Sequence, residues 1–400
     1  MSFWSLVLPR DLRSHISSYL DQYNEWYPVI NYKKYLIKYI ANKNDKFNDI
    51  KEMKNLQELH TGDNFSFTDA GLKYFKILQK LNCNVSLFLT DKGLKNLTNL
   101  QTLNCGINFN FTDKGLKYLT NLQELDCGCI FNFTDEVLSH LTNLRKLDCG
   151  RNDFTDKGLC HLTNLQILNC GYNTSFTDEG LCYLTNLQKL DCRYNTTFTD
   201  KGLRYLTNLL ELSVDNKNFT DKGLSYLTNL LELNCVGNKN FTDKGLRYLT
   251  NLKILNCSTN IKYTDKGLCH LTNLQKLYCG YNINFTDEGL RHLTNLKILY
   301  CNINIKYTDE GLRYLTNLQK LDCGGNKNFT DDGLSYLTNL QDLYCGFNTN
   351  FTDDGLSHLT NLQKLDCRMN KNFTDDGLSY LTNLQILDCG NNKNFTKIGL

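Results

Sequence analysis

The amino-acid sequence predicts an α/β solenoid in which about sixteen short coils stack along one axis. Three observations predict it. A Thr-Asp pair or its equivalent recurs at intervals of 21 or 22 residues from Thr68 to Thr396. Each interval contains two apolar segments. In one, apolar residues lie two positions apart, as on one face of a strand; in the other, two leucines lie three positions apart, as on one face of a helix. We therefore expect a parallel sheet on the concave side and short helices on the convex side.

The strand of each coil is predicted from a Leu-x-x-Leu-x-Cys unit, as in residues 165–170. Its second Leu and its Cys lie two residues apart and therefore share the inward face. Fourteen of the 18 cysteines occupy this position: Cys83, Cys105, Cys127, Cys149, Cys170, Cys192, Cys235, Cys257, Cys279, Cys301, Cys323, Cys345, Cys367 and Cys389. Val214 replaces the Cys in one coil, so the position requires a small apolar side chain, not a disulfide or a metal ligand. Free thiols in this number also indicate a reducing compartment.

The loop after each strand carries an asparagine whose amide is predicted to bond neighbouring backbone where the coil turns. These asparagines are Asn173, Asn195, Asn238, Asn260, Asn282, Asn304, Asn326, Asn348, Asn370 and Asn392. An aromatic residue such as Phe176 is expected to point inward, and Thr or Asp is expected to cap the helix that follows. The two coils around Asn152 and Asn216 are one loop residue shorter, which predicts local changes of curvature.

From Leu56 to Leu400 the pattern resembles the leucine-rich-repeat family, in its cysteine-bearing variety with Thr-Asp-x-Gly-Leu helices. The resemblance implies a horseshoe that binds other macromolecules on its concave face. The near-identity of the coils is also similar to arrays carried by protists and large DNA viruses. We assign residues 51–400 to this repeat domain.

Residues 1–50 do not share the repeat and are expected to form a small helical cap. One helical face is predicted from apolar residues spaced by four: Leu8, Leu12, Ile16 and Leu20. A second amphipathic stretch runs through Val29, Tyr32, Leu36 and Ile40.

The first stretch resembles an F-box, which implies binding to a Skp1-type adaptor of a cullin ubiquitin ligase. The matching residues are Leu8, Pro9, Asp11, Leu12, Ile16, Tyr19 and Leu20. The second half of the family pattern is not matched, because no Cys-x-x-Trp follows and Trp26 comes too early. The segment is therefore an F-box-like adaptor site, a cap over the apolar end of the first coil, or both.

The strand positions that flank the second Leu are not fixed by the repeat and face the concave side. In the later coils they place aromatic residues beside charged ones, which is the composition of protein-binding hot spots. We predict the main partner site within residues 274–368, at Tyr278, Ile298, Tyr300, Lys320, Asp322, Tyr344, Lys364 and Asp366. A nucleic-acid surface would need a basic stripe, and these aspartates argue against one.

Catalysis is not expected, because the chain contains no GxGxxG, GxSxG, HExxH or P-loop motif. Five of the seven histidines occupy a helix position that tyrosine fills in other coils, which argues against a metal or general-base role. No catalytic residue, metal site or cofactor is predicted.

The net charge of +2, the lack of a long apolar run and the lack of a signal-peptide pattern predict a cytoplasmic protein without a membrane partner. If the chain is viral, this means the host cytoplasm. Three functions are consistent with these features. They are substrate recognition for a cullin ubiquitin ligase, a plain interaction scaffold, and an enzyme inhibitor like the ribonuclease-inhibitor branch of the family.

Overall fold

The computed structural model describes residues 37–40, 51, 53–61, 67–84, 86, 88–390, 392 and 394–395. They belong to two compact units, unit 1 (residues 1–197) and unit 2 (residues 198–400). The seven F-box-like positions lie outside the described residues: Leu8, Pro9, Asp11, Leu12, Ile16, Tyr19 and Leu20.

The described part of unit 1 contains eight three-residue strands that pair in parallel in chain order. Strands β1 to β8 are Lys38–Ile40, Glu58–His60, Lys80–Asn82, Thr102–Asn104, Glu124–Asp126, Lys146–Asp148, Ile167–Asn169 and Lys189–Asp191. From β2 onward a short helix follows each strand except the last. Helices α1 to α6 are Asp69–Leu72, Asp91–Leu94, Asp113–Leu116, Asp135–His140, Asp156–Leu159 and Asp178–Leu181.

Unit 2 repeats the arrangement, and its described residues form nine parallel strands that also pair in chain order. Strands β9 to β17 are Glu211–Ser213, Glu232–Asn234, Ile254–Asn256, Lys276–Tyr278, Ile298–Tyr300, Lys320–Asp322, Asp342–Tyr344, Lys364–Asp366 and Ile386–Asp388. One helix precedes each strand. Helices α7 to α15 are Asp200–Leu203, Asp221–Leu224, Asp243–Leu246, Asp265–Leu268, Asp287–Leu290, Asp309–Leu312, Asp331–Ser335, Asp353–Leu356 and Asp375–Ser379. The predicted α/β solenoid of parallel strands and short helices is confirmed within each unit.

The core of each coil is built from leucines, one cysteine and one aromatic ring. Leu277, Cys279 and Phe285, for example, have no exposed surface. Thirteen of the fourteen predicted cysteines are buried, as is Val214, while Cys389 is partly exposed. All 18 cysteines are free. Burial raises the pKa of the Cys279 thiol to about 12, so the group is protonated at neutral pH and packs as a small apolar side chain.

The predicted asparagine column is confirmed, and it links successive coils. The Nδ2 of Asn282 donates to the carbonyl oxygens of Asn260 at 2.6 Å and Tyr263 at 3.4 Å in the preceding coil. Its Oδ1 accepts from the N–H groups of Asn284 at 2.8 Å and Phe285 at 3.2 Å in its own loop. Because Asn282 is fully buried, its amide satisfies backbone groups that water does not reach.

The missing loop residue alters this column in one of the two short coils. The Nδ2 of Asn152 donates to the carbonyl oxygen and the sulfur of Cys127, and its Oδ1 is buried without a hydrogen-bond partner. In the other short coil Asn216 keeps the usual pattern. Its Nδ2 donates to the Phe198 carbonyl at 3.0 Å, and its Oδ1 accepts from the Asn218 N–H at 2.7 Å.

The two residues of the Thr-Asp pair make different hydrogen bonds. The Oγ1 of Thr286 accepts from the Glu288 N–H at 3.3 Å and so caps α11, as predicted. The carboxylate of Asp265, one coil earlier, accepts from the N–H of Thr286 at 2.9 Å and from its hydroxyl at 2.7 Å. Equivalent pairs recur in both units. The aspartate, predicted only as an alternative cap, therefore bonds one coil to the next.

Strand β1 differs from the expectation for the N-terminal segment. Ile40, predicted on a second amphipathic helical stretch, lies instead in a strand that pairs with β2. The Ile37 carbonyl accepts from the N–H groups of Gln57 and Glu58, and the Lys38 ammonium lies 2.7 Å from the Glu58 carboxylate. An extended segment satisfies the backbone groups at this edge of the sheet, which a helix would leave open.

The described part of the chain contains neither a membrane-spanning helix nor a cluster of metal-binding side chains. Its longest helix, α4, has six residues, and none of its helices has the length and apolar character that a bilayer crossing requires. No group of three or more His, Cys, Asp or Glu side chains in those same residues is placed to hold a metal ion.

Candidate protein-binding surface

Unit 2 presents an open sheet face, formed by the residues on either side of the buried central leucine of each strand. Leu277, Leu299 and Leu343 have no exposed surface, whereas both neighbours of each are partly exposed. The parallel register places equivalent positions of successive strands side by side. All eight residues of the predicted partner site lie on strands β12 to β16: Tyr278, Ile298, Tyr300, Lys320, Asp322, Tyr344, Lys364 and Asp366.

Five of these residues contact one another in sequence across five strands. The rings of Tyr278 and Tyr300 stack with centroids 4.7 Å apart and planes inclined by 19°. The Nζ of Lys320 lies 5.4 Å from the centroid of Tyr300 and 4.7 Å from that of Tyr344. The Nζ of Lys364 lies 5.3 Å from the Tyr344 centroid. We refer to Tyr278, Tyr300, Lys320, Tyr344 and Lys364 as the tyrosine–lysine cluster.

The contacts of the cluster raise the pKa values of Lys320 and Tyr278. Partial burial lowers the pKa of Lys320, but hydrogen bonding to the Tyr300 and Tyr344 hydroxyls outweighs it and leaves that pKa above its ordinary value. The Lys320 ammonium also lies 3.5 Å from the carboxylate of Asp342. Burial, followed by the neighbouring Tyr300, raises the pKa of Tyr278. The cluster therefore places the Lys320 ammonium between the rings of Tyr300 and Tyr344, an arrangement in which cation–π attraction orders the long lysine side chain.

The two predicted aspartates lie outside the cluster contacts. Asp366 accepts two hydrogen bonds from the Arg368 guanidinium, at 3.0 Å from Nε and 2.7 Å from Nη2. Asp322 accepts from the Gly324 N–H at 3.3 Å and forms no ion pair with any residue that the structure describes. Burial raises the pKa of Asp322, and the nearby Asp366 adds to that shift. Ile298 lies at the first position of its strand and pairs in register with Lys320 on the next strand.

The aspartates line a groove of about 420 Å³ at the edge of the open sheet face. Its other walls include Tyr344 and two large loop residues, Ile303 and Phe347. The hollow lies at Gly325, because most other coils carry a larger side chain at that position, such as Ile303 and Phe347 in the two neighbouring coils. This groove was not predicted, because the predicted site was limited to strand positions; the Gly-Gly pair after Cys323 was the available signal.

Comparisons with known proteins agree on the fold. A leucine-rich-repeat protein of Leptospira interrogans is 24% identical, with a TM-score of 0.59, over 83% of this chain and 90% of that one. TLR13, solved in complex with the RNA ssRNA13, is 20% identical with a TM-score of 0.53 over 85% of this chain. The chain spans 54% of that structure's length. No family model and no curated protein matches the chain.

The parallel strands, the short helices and the repeat of 21 or 22 residues, together with these two structures, show that the chain has the leucine-rich-repeat fold.

Proposed function

We propose that the chain is a protein-binding module and that the open sheet face of unit 2, around the tyrosine–lysine cluster, is its main partner site. The observation that carries this proposal is the unbroken contact series from Tyr278 to Lys364 on a partly exposed face. Aromatic rings held in place by their neighbours provide large contact area at low entropic cost, which is why they dominate binding hot spots. Asp322, Asp342 and Asp366 on the same face favour a protein over a phosphate backbone.

The variant Tyr278→Ala/Tyr300→Ala is expected to weaken partner binding tenfold or more, since each truncated hot-spot residue costs upward of about 2 kcal/mol. The measurement is affinity capture of partners from extract with the immobilised chain, followed by calorimetric titration of the purified partner. The matched control is Tyr172→Ala/Tyr194→Ala, which removes a second stacked tyrosine pair, 4.1 Å apart, from unit 1. Equal affinity of the Tyr278→Ala/Tyr300→Ala variant and the intact chain would show that the site lies elsewhere.

We further propose that the module is the substrate-recognition subunit of a cullin-type ubiquitin ligase, in which the F-box-like segment binds a Skp1-type adaptor. The support is the match at Leu8, Pro9, Asp11, Leu12, Ile16, Tyr19 and Leu20. The apolar side chains of this set are spaced as one helical face requires, which is the form of a helix that docks into an apolar groove.

The test is binding of the full chain to a purified Skp1-type adaptor. The Leu8→Ala/Pro9→Ala/Leu12→Ala variant is expected to abolish that binding, and Tyr278→Ala/Tyr300→Ala is expected to leave it intact. If the folded, intact chain does not bind the adaptor, the ligase proposal fails while the partner site on the sheet remains open to its own test.

A further inference from the structure

A row of three exposed isoleucines lies on loops of unit 2, outside the strands that form the open sheet face. In three consecutive coils the residue after the buried loop asparagine is Ile261, Ile283 or Ile305. Their exposed fractions are 60%, 50% and 64%, unusually high for isoleucine. The coils before and after carry Lys239 and Lys327 at the same position. We refer to Ile261, Ile283 and Ile305 as the isoleucine stripe.

The stripe sits on a firmly bonded backbone. The carbonyl of Ile261 accepts a hydrogen bond from the side-chain amide of Asn284, and that of Ile305 accepts one from Asn328. The hydrogen bonds of the buried Asn282 side chain, described above, hold the middle loop, which carries Ile283. Because the loops are already ordered, a partner would meet a preformed surface and binding would lose little conformational entropy.

Four exposed lysines surround the stripe. Lys239, Lys262, Lys306 and Lys327 are all exposed. None of the four forms an ion pair with any residue in the described part of the chain. We refer to these four residues as the lysine rim.

The carboxylates that follow these loops in the sequence already form hydrogen bonds or ion pairs within the protein. Asp287 accepts from the N–H of Thr308 at 2.9 Å and from its hydroxyl at 2.6 Å. Glu288 pairs with Arg291, and the equivalent glutamate of the next coil pairs with its own arginine in the same way. These carboxylates therefore have bonding partners within the stacked coils, whereas the four lysines of the rim form no ion pair among the described residues.

We propose that the isoleucine stripe and its lysine rim bind a segment of a partner protein that carries apolar side chains next to carboxylates. Three exposed isoleucines supply the apolar contact, and the four lysines select for negative charge. The stripe and the rim share no residue with the tyrosine–lysine cluster, so the inference goes beyond the function proposed above.

The relief of the surface favours a protein segment over an anionic bilayer. Tyr281 and Ile303, two residues before Ile283 and Ile305, are also exposed and widen the apolar area. Ile303 also lines the groove at the edge of the open sheet face, so the apolar area adjoins a hollow. A protruding side chain fills such a hollow, whereas the flat face of a bilayer does not.

The experiment is selection of a displayed random-peptide library on the full chain, with counter-selection on the Ile261→Ser/Ile283→Ser/Ile305→Ser variant. Peptides that combine Asp or Glu with large apolar residues are expected to be enriched. A synthetic peptide from the selection should lose affinity tenfold or more on Lys262→Glu/Lys306→Glu, and it should bind more weakly at high salt. The control Lys217→Glu/Lys371→Glu, at the loop position of Lys239 and Lys327 but in coils outside the rim, should leave its affinity unchanged.

Three results would overturn the proposal. They are no enrichment over the counter-selected variant, enriched peptides without carboxylates, and equal binding by the Lys262→Glu/Lys306→Glu variant. Vesicles of phosphatidylserine and phosphatidylcholine test the alternative, because vesicle binding that needs both the isoleucines and the lysines, without peptide binding, would assign the surface to membranes. Tyr278→Ala/Tyr300→Ala should retain peptide binding, so the two surfaces can fail separately.

Discussion

Replacing Asn282 by alanine is expected to lower the free energy of unfolding by about 3 kcal/mol or more, because each buried polar group left unpaired costs about 1–3 kcal/mol. The substitution removes the donor for the Asn260 and Tyr263 carbonyls and the acceptor for the Asn284 and Phe285 N–H groups. These groups belong to two adjacent coils, and a repeat protein depends on the interfaces between coils. Urea unfolding followed by circular dichroism measures the loss.

The control is Asn295→Ala, at the end of the segment that follows α11. Asn295 is exposed, and its side chain makes one hydrogen bond, to the Thr272 carbonyl at 3.0 Å. Water replaces that bond, so its loss should cost no more than about 1 kcal/mol. Similar losses in both variants would show that burial of the asparagine column does not stabilise the coils.

Features that repeat within one coil could be predicted from the sequence. Leu277, Cys279 and Asn282 follow the period of a strand and the turn after it, and their burial follows from that pattern alone. Strand β1 could not be found in this way, because Lys38–Ile40 contains no Leu-x-x-Leu-x-Cys unit and its pairing depends on the edge of β2.

Contacts between coils were harder to predict. The hydrogen bond from the Thr286 N–H to the Asp265 carboxylate joins residues 21 positions apart. It could not be predicted from the sequence, because it depends on how two successive coils stack. The residue types of the tyrosine–lysine cluster were predicted, but the position of Lys320 between Tyr300 and Tyr344 depends on the strand register. The isoleucine stripe was missed because loop positions were assumed to serve the fold alone.

A Cβ atom at Gly289, in the Thr-Asp-x-Gly-Leu segment, would lie 2.5 Å from the Oδ1 of Asp265 and 2.9 Å from a methyl carbon of Leu268. Asp265 cannot turn away without losing both hydrogen bonds from Thr286. We therefore expect Gly289→Ala to destabilise the chain by about 2–4 kcal/mol, from overpacking and weakened hydrogen bonds, although alanine favours a helix by about 1 kcal/mol. Thermal and urea unfolding measure the change.

A double-mutant cycle separates the clash from any general effect of the substitution. With Asp265→Ala already present, Gly289→Ala should cost at least about 1 kcal/mol less, since the carboxylate it meets is gone. Gly346→Ala is the control, because its Cβ would meet its nearest atom, the Arg368 carbonyl oxygen, at an ordinary 3.4 Å. In one coil Val137 replaces this glycine, and the Thr134 N–H still reaches Asp113 at 3.0 Å. If α11 moves away from α10 far enough to admit the methyl group, Gly289→Ala will be nearly neutral and the cycle will show no coupling. That result would mean that the spacing of the coils, and not the glycine, relieves this contact.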